Sequence, residues 1–422
     1  MPAWRASTGC AAIVAVAVGC GHPAPPAPSA SAPGGLAPVT VTVPAGLAQS
    51  PLDTPRQALV PRGWTMSVWA RVPNARLAAW APDGALLVSV PDDGQVVRLS
   101  ADGQQARTTV LLDGLVQPHG LAFDDATLLV AESNQIDAFR YDNGTATDRR
   151  VVAGDLPDAR SPDLGGAYAH ALKSVAVGPD GAVYFSIGST GNISAQDRTA
   201  TPPRATIMRI APDGGPLAAF ATGVRNGTGL AIAPDGSPWT AVNNRDNVAD
   251  PRPGPSYGRV DTDYVNEHPP ESLARLTPDR ELGWPYCNPD VGGEFVRDIQ
   301  TNADGSELDC AALTPVEQTL GAHSAPLGLS FVDGELPEPF ASGALLGVHG
   351  SWNRQPPRAP EVSFFRWNAG TLESQQTLVG GFQDEQGDRW GRPVAAVVGP
   401  DGAVYITDDY AGAVYRLAPP GR

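Results

Sequence analysis

The chain has 422 residues with 47 Gly and 43 Pro, 42% hydrophobic and only 18% charged, which suits a large core in a turn-rich all-β fold and excludes a disordered chain. Its formal net charge of -16 leaves no basic stripe to neutralise phosphates, so nucleic acid is not expected as a partner.

The first element in chain order is an export signal. Arg5 precedes an apolar run over 11–18 that is too short to cross a bilayer as a stable helix. The run ends in Ala17-Val18-Gly19-Cys20, which resembles a bacterial lipobox, so residues 1–20 read as a lipoprotein signal peptide with Cys20 as the lipid anchor to a membrane. An ordinary cleaved signal peptide, with Cys20 incidental, is the alternative. Residues 21–57 open on Gly21-His-Pro-Ala-Pro-Pro-Ala-Pro and read as a Pro/Ala/Ser-rich tether with nothing to bury. The protein is therefore expected to be exported, in the periplasm or on the cell surface.

Residues 58–420 carry a repeat. Pro-Asp-Gly occurs at Pro82, Pro179, Pro212, Pro234 and Pro400, mostly between two short apolar runs such as Val394-Ala-Ala-Val-Val and Ala403-Val-Tyr-Ile-Thr. Pro presets φ, Asp caps its own backbone and Gly takes positive φ, so each copy marks a hairpin. Degenerate copies follow Leu121-Ala-Phe and Leu329-Ser-Phe, giving six inner hairpins near Trp80, Phe123, Val177, Ile232, Phe331 and Val398. A second hairpin often follows, as at Gln95-Val-Val-Arg-Leu and Ala413-Val-Tyr-Arg-Leu. Repeated four-stranded units without a long helical period predict an all-β, six-bladed β-propeller. A β-sandwich with ordinary turns predicts no such repetition.

In a propeller, ligands bind at one mouth of the central channel, among the loops entering and leaving the inner strands. His119, His170, Arg225 with Asn226, His323 and Arg392 all stand shortly before an inner hairpin, in a chain with six His. Equivalent blades would bring them into one ring. A lone His beside a strand is more often simply packed, so the ring as a whole carries the reading, with His170 and Arg225 foremost. Cys287 and Cys310, the two cysteines beyond the signal region, belong to no Cys-x-x-Cys cluster and read as a disulfide in an exported protein rather than as metal ligands. Asn143, Asn192 and Asn226 each begin an Asn-x-Ser/Thr triplet, which a bacterial lipoprotein does not ordinarily glycosylate.

Gly223-Val-Arg-Asn-Gly-Thr-Gly-Leu-Ala, His170 followed by Gly178-Pro-Asp-Gly-Ala-Val-Tyr, Gly283-Trp-Pro-Tyr, Gly350-Ser-Trp-Asn-Arg and Arg392-Pro-Val followed by Gly399-Pro-Asp-Gly together resemble the glucose/sorbosone dehydrogenase family over roughly residues 60 to 418. That resemblance implies a six-bladed propeller that oxidises an aldose or sorbosone-like sugar with pyrroloquinoline quinone (PQQ). It implies His170 as the base that takes the sugar hydroxyl proton, Arg225 and Asn226 on the quinone oxygens, and Arg392 on a cofactor carboxylate. It also points to Arg354 and His119 as further cofactor contacts, and to the backbone carbonyls of Asn244 and Arg245 as ligands of a Ca2+ on the cofactor. Oxygen donors suit that ion. An acid-rich loop without metal is the alternative.

The residue before the base is Ala169, where the glucose-oxidising branch has Asp, so the base is oriented differently or the substrate differs. An insert from Asp250 to Leu282 is expected beside the mouth. No Cys-x-x-Cys-His motif is present, so electrons must pass to an external acceptor, a cytochrome or a quinone. Two other readings compete. A calcium-dependent propeller lactonase would want Asp, Glu and Asn where this chain puts His and Arg, and a non-catalytic binding propeller would have no use for His170, Arg225-Asn226 and Arg392 together.

Overall fold

A computed structural model describes residues 30–31, 35–164, 166–211 and 214–421, and the signal peptide and lipobox lie outside them. Six sheets, each built on four antiparallel strands, make up the blades of the described structure. Blade one comprises Ala78–Trp80, Leu86–Val90, Gln95–Asp102 and Gln105–Leu112, and blade two Gly120–Asp124, Thr127–Ala131, Ile136–Asp142 and Thr145–Ala153. Blade three comprises Val175–Val177, Val183–Ile187, Thr206–Ile210 and Ala218–Thr222, and blade four Gly227–Ile232, Pro238–Val242, Glu271–Arg275 and Gln318–Leu320. Blade five is Pro326–Asp333, Ser342–Val348, Glu361–Asn368 and Gln376–Val379. Blade six takes Pro393–Val398, Val404–Asp408 and Ala413–Ala418 from the C-terminal end and Thr65–Arg71 from the N-terminal end, so strand pairing between the chain's two ends closes the ring.

The first strand of every blade faces the axis. Ala78, Leu121, Val175, Leu230, Leu329 and Ala396, one from each, line a narrow axial channel of about 50 Å³. Apolar side chains on the blade faces form six clusters, one between each pair of neighbours, such as Leu87, Leu121, Leu128 and Val130 between blades one and two. At the closure, Trp69, Trp80 and Tyr405 meet edge to face, with centroids 4.7 Å and 4.9 Å apart for the two pairs with Tyr405. The six-bladed propeller expected from the repeats is thus the fold of the chain.

Four Pro-Asp-Gly copies make the turn between first and second strands, while Pro212 and Asp213 of the remaining copy lie outside the described residues. The turn aspartates do more than turn. Asp83, Asp180, Asp235 and Asp401 each accept the backbone N–H two residues on with one oxygen, and with the other an Arg of the third strand, Arg98, Arg209, Arg275 and Arg416. Each pair is partly exposed and contributes little alone. Repeated four times, it ties the inner hairpin to the third strand and explains the Arg-Leu and Arg-Ile dipeptides of those strands.

Where blades five and six meet, Gly347 leaves no room for a side chain: an added Cβ would run into the carbonyl of Val394. Gly347→Ala should therefore cost about 1–3 kcal/mol as overpacking against backbone that cannot rotate aside. Gly46→Ala, with nothing within 4 Å of its Cβ, is the control. Urea denaturation reads both, and equal midpoints would refute the tight contact.

Two segments depart from the sequence reading. Leu36–Thr40 pairs with Gln57–Pro61, and Val41, Leu52 and Val60 are buried against blades five and six. The stretch read as tether through residue 57 is thus packed from residue 35, because Val39 and Val41 alternate with polar residues as a half-buried strand does. The insert read from Asp250 to Leu282 is two excursions, since Glu271–Arg275 is the third strand of blade four. Residues 243–270 carry the short helix Thr262–Glu267, capped by Asp261. Residues 276–317 add Arg280–Glu281 in parallel to blade three, pair Cys287–Pro289 with Phe295–Arg297 as a hairpin, and hold the Cys287–Cys310 disulfide. Among the described residues no helix is long and apolar enough to cross a membrane.

Candidate functional site at the channel mouth

Loops that enter the first strand and loops that join the second strand to the third emerge on the same face of each blade. Arg76, His119, His170, Arg225, His323 and Arg392 lie in the entering loops of blades one to six in turn. Their backbones are laced from blade to blade. Gly120 N–H donates to Lys173 O (2.9 Å), Ser174 Oγ to Thr228 O (2.5 Å), Thr228 Oγ1 to Pro326 O (2.6 Å), Ser330 Oγ to Ala396 O (2.6 Å) and Thr407 Oγ1 to Arg76 O (2.6 Å).

His170 is largely buried. Its Nδ1 lies 3.0 Å from Ser189 O and 2.9 Å from Ser189 Oγ. A carbonyl only accepts, and Ser189 Oγ donates its own proton to Gly191 O (2.7 Å), so Nδ1 carries the hydrogen and Nε2 keeps its lone pair. Burial, then the nearby Arg225 charge, lowers the His170 pKa to about 3, so the ring is neutral throughout the ordinary pH range. Gly188 makes this packing possible: a Cβ there would lie 2.6 Å from His170 Cβ and 3.3 Å from Asn226 Oδ1. His170 and Asn226 therefore flank one glycine. Ala169 is exposed, and the ring is oriented by Ser189 from the next loop rather than by the preceding residue.

Arg225 is 6% exposed and is held by Asn243 O and Asn192 Oδ1, both at 3.1 Å, with Asp246 Oδ2 at 3.7 Å. Burial lowers its pKa, but an arginine remains charged. Asp246 also takes His323 Nδ1 (3.2 Å), while His323 Nε2 donates to Val265 O (2.7 Å). Both His323 nitrogens thus face acceptors. Burial opposes its charge, but Asp246, the Val265 carbonyl and Glu271 outweigh it and raise its pKa. His323 anchors charge in the ring where His170 presents a free base.

A cavity of about 380 Å³ opens beside this cluster, lined by Arg76, Leu172, His349, Arg392, Asp409 and Tyr410 among others. Asp409 binds Arg76 (2.6 Å) and His349 (2.8 Å); burial would raise its carboxyl, but His349 and Arg76 hold it down to about 2. Arg392 donates to His349 O (2.9 Å) and Gly350 O (3.2 Å) and meets no carboxylate within ion-pair distance among the described residues. His119 is 2% exposed, with Nδ1 3.2 Å from Lys173 O and Nε2 without a partner; burial, then Arg76, lowers its pKa to about 3.

Three sequence candidates stand elsewhere. Arg354 turns to Glu267 and to Asn266 O (3.1 Å) and Pro356 O (2.6 Å), pinning the short helix rather than lining the cavity. Asn244 donates from its side chain to Pro270 O and Ser272 Oγ, both at 2.9 Å, and the Arg245 side chain is buried on Asp298 and Gln300. Their side chains serve the loop, which leaves only their carbonyls for the role suggested. Among the described residues no group of three His, Cys, Asp or Glu is arranged to hold a metal.

The sequence reading missed Arg76, His349, Asp409, Asp246 and Ser189. Arg76 was findable, since it precedes Leu77-Ala-Ala-Trp as Arg392 precedes Val394-Ala-Ala-Val. The others lie in second-to-third-strand loops of unequal length, where the repeat gives no register.

Glu271 underlies this face and accepts Asn244 N–H. Burial raises its pKa to about 7, only partly offset by that bond. The folded state therefore binds a proton more tightly than the unfolded chain, and this stabilisation is full below about pH 4.5 and is lost as pH rises through about 7. Glu271→Gln should flatten the fall in urea midpoint between pH 5 and 8. An unchanged slope would place the fall elsewhere.

Fold and face together define a β-propeller with a cationic cleft and a neutral, fixed histidine over its axial channel. The chain belongs to the family described as TrAA12-like, which it matches over residues 58–419. Among solved structures it is similar to the holo form of the pyranose dehydrogenase PQQ domain from Coprinopsis cinerea, with a TM-score of 0.70 at 20% identity over 86% of this chain and 97% of that one. It is likewise similar to the Trichoderma reesei family AA12 enzyme in an iodide structure (TM-score 0.71, 18% identity, 86% and 97%). The PQQ-bound aldose sugar dehydrogenase from Streptomyces coelicolor follows (0.55, 15%, 85% and 100%). At these identities the likeness establishes the fold. An uncharacterized protein of Borreliella burgdorferi is 28% identical over 232 residues, 54% of this chain and 56% of that protein, so the match spans little more than half of that relative's length. The sorbosone branch is not singled out by these matches.

Proposed function

We propose that this protein is a PQQ-dependent oxidoreductase that oxidises an aldose or a related sugar. The observation that carries the reading is His170: a neutral imidazole with Nδ1 committed to Ser189 and Nε2 unprotonated, packed beside Asn226 and next to a buried guanidinium at the channel mouth. The residues fit the cofactor. A carboxylate-bearing quinone needs cations, and Arg392 faces carbonyls alone while Arg225 and Arg76 each keep a buried Nε without a partner.

Arg392 would hold a cofactor carboxylate with Arg76 beside it, His119 Nε2 would accept a hydrogen bond from the cofactor because its Nδ1 hydrogen is committed to Lys173 O, and Arg225 with Asn226 would face the quinone oxygens. When bound, the quinone supplies a two-electron acceptor for the hydride from the sugar's C1. His170 Nε2 takes the proton of the C1 hydroxyl, which raises electron density at that carbon. The Arg225 charge favours the build-up of negative charge opposite it. The carbonyls of Asn244 and Arg245 are the candidates for a Ca2+ on the cofactor. Export to the periplasm or cell surface, a lipid anchor at Cys20 and transfer of electrons to an external cytochrome or quinone complete the proposal. A sorbosone-like substrate stays within it.

The test is reconstitution of the purified chain with PQQ and Ca2+, followed by dye reduction with a panel of aldoses. Tight quinone binding and sugar-dependent reduction are expected. No quinone binding sinks the reading. Quinone binding without turnover of any sugar turns it into a binding propeller.

A further inference from the structure

Beside the reaction cleft lies a second depression of about 200 Å³, lined by Trp352, Asn353, Gln355, Asn247, Asn266 and Thr262. We infer that it is a saccharide subsite, which takes a further ring of a neutral oligosaccharide whose end ring occupies the cleft. The inference rests on the sugar-oxidising reading above and adds the substrate class, a chain of sugars rather than a single one.

Trp352 is 73% exposed, the most exposed large hydrophobic side chain among the described residues. An indole in water at the edge of a depression of mixed lining suits the C–H face of a sugar ring, a surface apolar on one side and hydroxylated around its rim. The amides and hydroxyl of the lining match those hydroxyls, with Val260 and Val265 as its apolar part. Asn353 Nδ2 donates to Asn247 Oδ1 (3.2 Å), which sets both amides and leaves Asn353 Oδ1 and Asn247 Nδ2 without a partner among the described residues. Asn266 exchanges hydrogen bonds with the Gln355 backbone, both at 3.2 Å, fixing the opposite wall. The one charged side chain in the lining, Arg354, is neutralised by Glu267, so the wall selects a neutral ligand.

The depression is joined to the cleft through both of its loops. Asn247 follows Asp246, which holds Arg225 and His323. Trp352 follows His349 and Gly350, whose carbonyls hold Arg392, and Ser351, whose carbonyl takes Arg389. Its volume is below the ~300–1,000 Å³ of free-standing small-molecule sites, as a subsite for one ring should be.

The experiment measures binding of cellotetraose and maltotetraose to the full chain by calorimetry without cofactor, alongside glucose oxidation by the PQQ-loaded protein. At least one tetrasaccharide should bind, and Trp352→Ala should weaken it about tenfold. Trp352→Phe should retain most of the affinity, and Asn353→Ala should lose part of it. Val151→Ala, an exposed apolar residue on the outer strand of blade two, should change nothing. Binding that is absent, or indifferent to Trp352→Ala, overturns the subsite even if glucose is oxidised. Binding that depends on Trp352 in a protein that oxidises no sugar upholds the subsite and sinks the oxidoreductase reading instead. If Trp352→Ala spares tetrasaccharide binding and abolishes reduction of a protein electron acceptor, the indole is a protein-docking residue and the inference is wrong.

Discussion

His170→Ala should lower turnover of the PQQ-loaded protein by about 10²–10⁴-fold, the usual contribution of a positioned general base, while leaving the quinone bound. The substitution keeps the Cβ that packs on Gly188 and removes the ring that Ser189 holds, so Asn226 and Arg225 lose no direct hydrogen bond. His170→Gln keeps a donor for the Ser189 carbonyl but offers no base, and should fall by a similar factor. Dye reduction under saturating sugar, with cofactor occupancy read by absorbance, separates loss of chemistry from loss of cofactor. A rate within tenfold of the parent, quinone in place, would remove His170 from the mechanism. A titration offers a second check. Since burial and then Arg225 hold the ring's pKa near 3, its NMR signals should stay those of neutral imidazole from pH 8 to 5, whereas the His323 signals should report a raised pKa over the same span. Arg225→Met should move the His170 value upward, although burial keeps it below the ordinary value of 6.5.

The propeller was legible because its punctuation is local. Pro82, Pro179, Pro234 and Pro400 open turns whose chemistry is complete within three residues, and the apolar runs around them have the length of buried strands. The placement of His119, His170, Arg225 and Arg392 in entering loops at one end was legible for a related reason: residues shortly before equivalent strands share one end of the barrel of blades. What could not be read was set by contacts between loops. Arg354 and Arg392 look alike in sequence, each followed closely by proline. Only the structure separates them, because Glu267 on the helix of the 243–270 loop captures the first and leaves the second facing carbonyls. The orienting role of Ser189 was hidden likewise, since Ala169 drew attention to the neighbouring position in the chain while the partner came from the next loop. Composition misled at 35–57, where proline and alanine suggested a tether although Val41 and Leu52 are core residues.

Asp298→Ala is expected to be the most destabilising substitution at this face, by about 3–5 kcal/mol, because it strands a charge in the interior. The side chains of Arg245 and Asp298 are each 1% exposed. Asp298 accepts from Arg245, from Asn288 Nδ2 (2.9 Å) and from the backbone N–H groups of Gln300 (2.9 Å) and Thr301 (3.2 Å), so one carboxylate ties together part of the 276–317 excursion and clamps it to the 243–270 loop that carries Asn244 and Asp246. Removing it leaves a guanidinium held by Gln300 alone, whose Nε already lacks a partner, and strips the acceptor from the Gln300 N–H and Asn288 Nδ2 donors. Arg245→Met in the same background should restore part of the loss, since the unpaired charge is then gone while the orphaned donors remain. A cycle of the two single variants and the double, read by urea midpoints, isolates the pair from the loop it holds. The same set decides what Arg245 does for the cofactor. If only its carbonyl matters, Arg245→Met should be less stable than the parent yet load Ca2+ and quinone with unchanged affinity once folded. A single variant Asp298→Ala within about 1 kcal/mol of the parent would show that the clamp is not what holds Asp246, and with it Arg225 and His323, over the channel mouth.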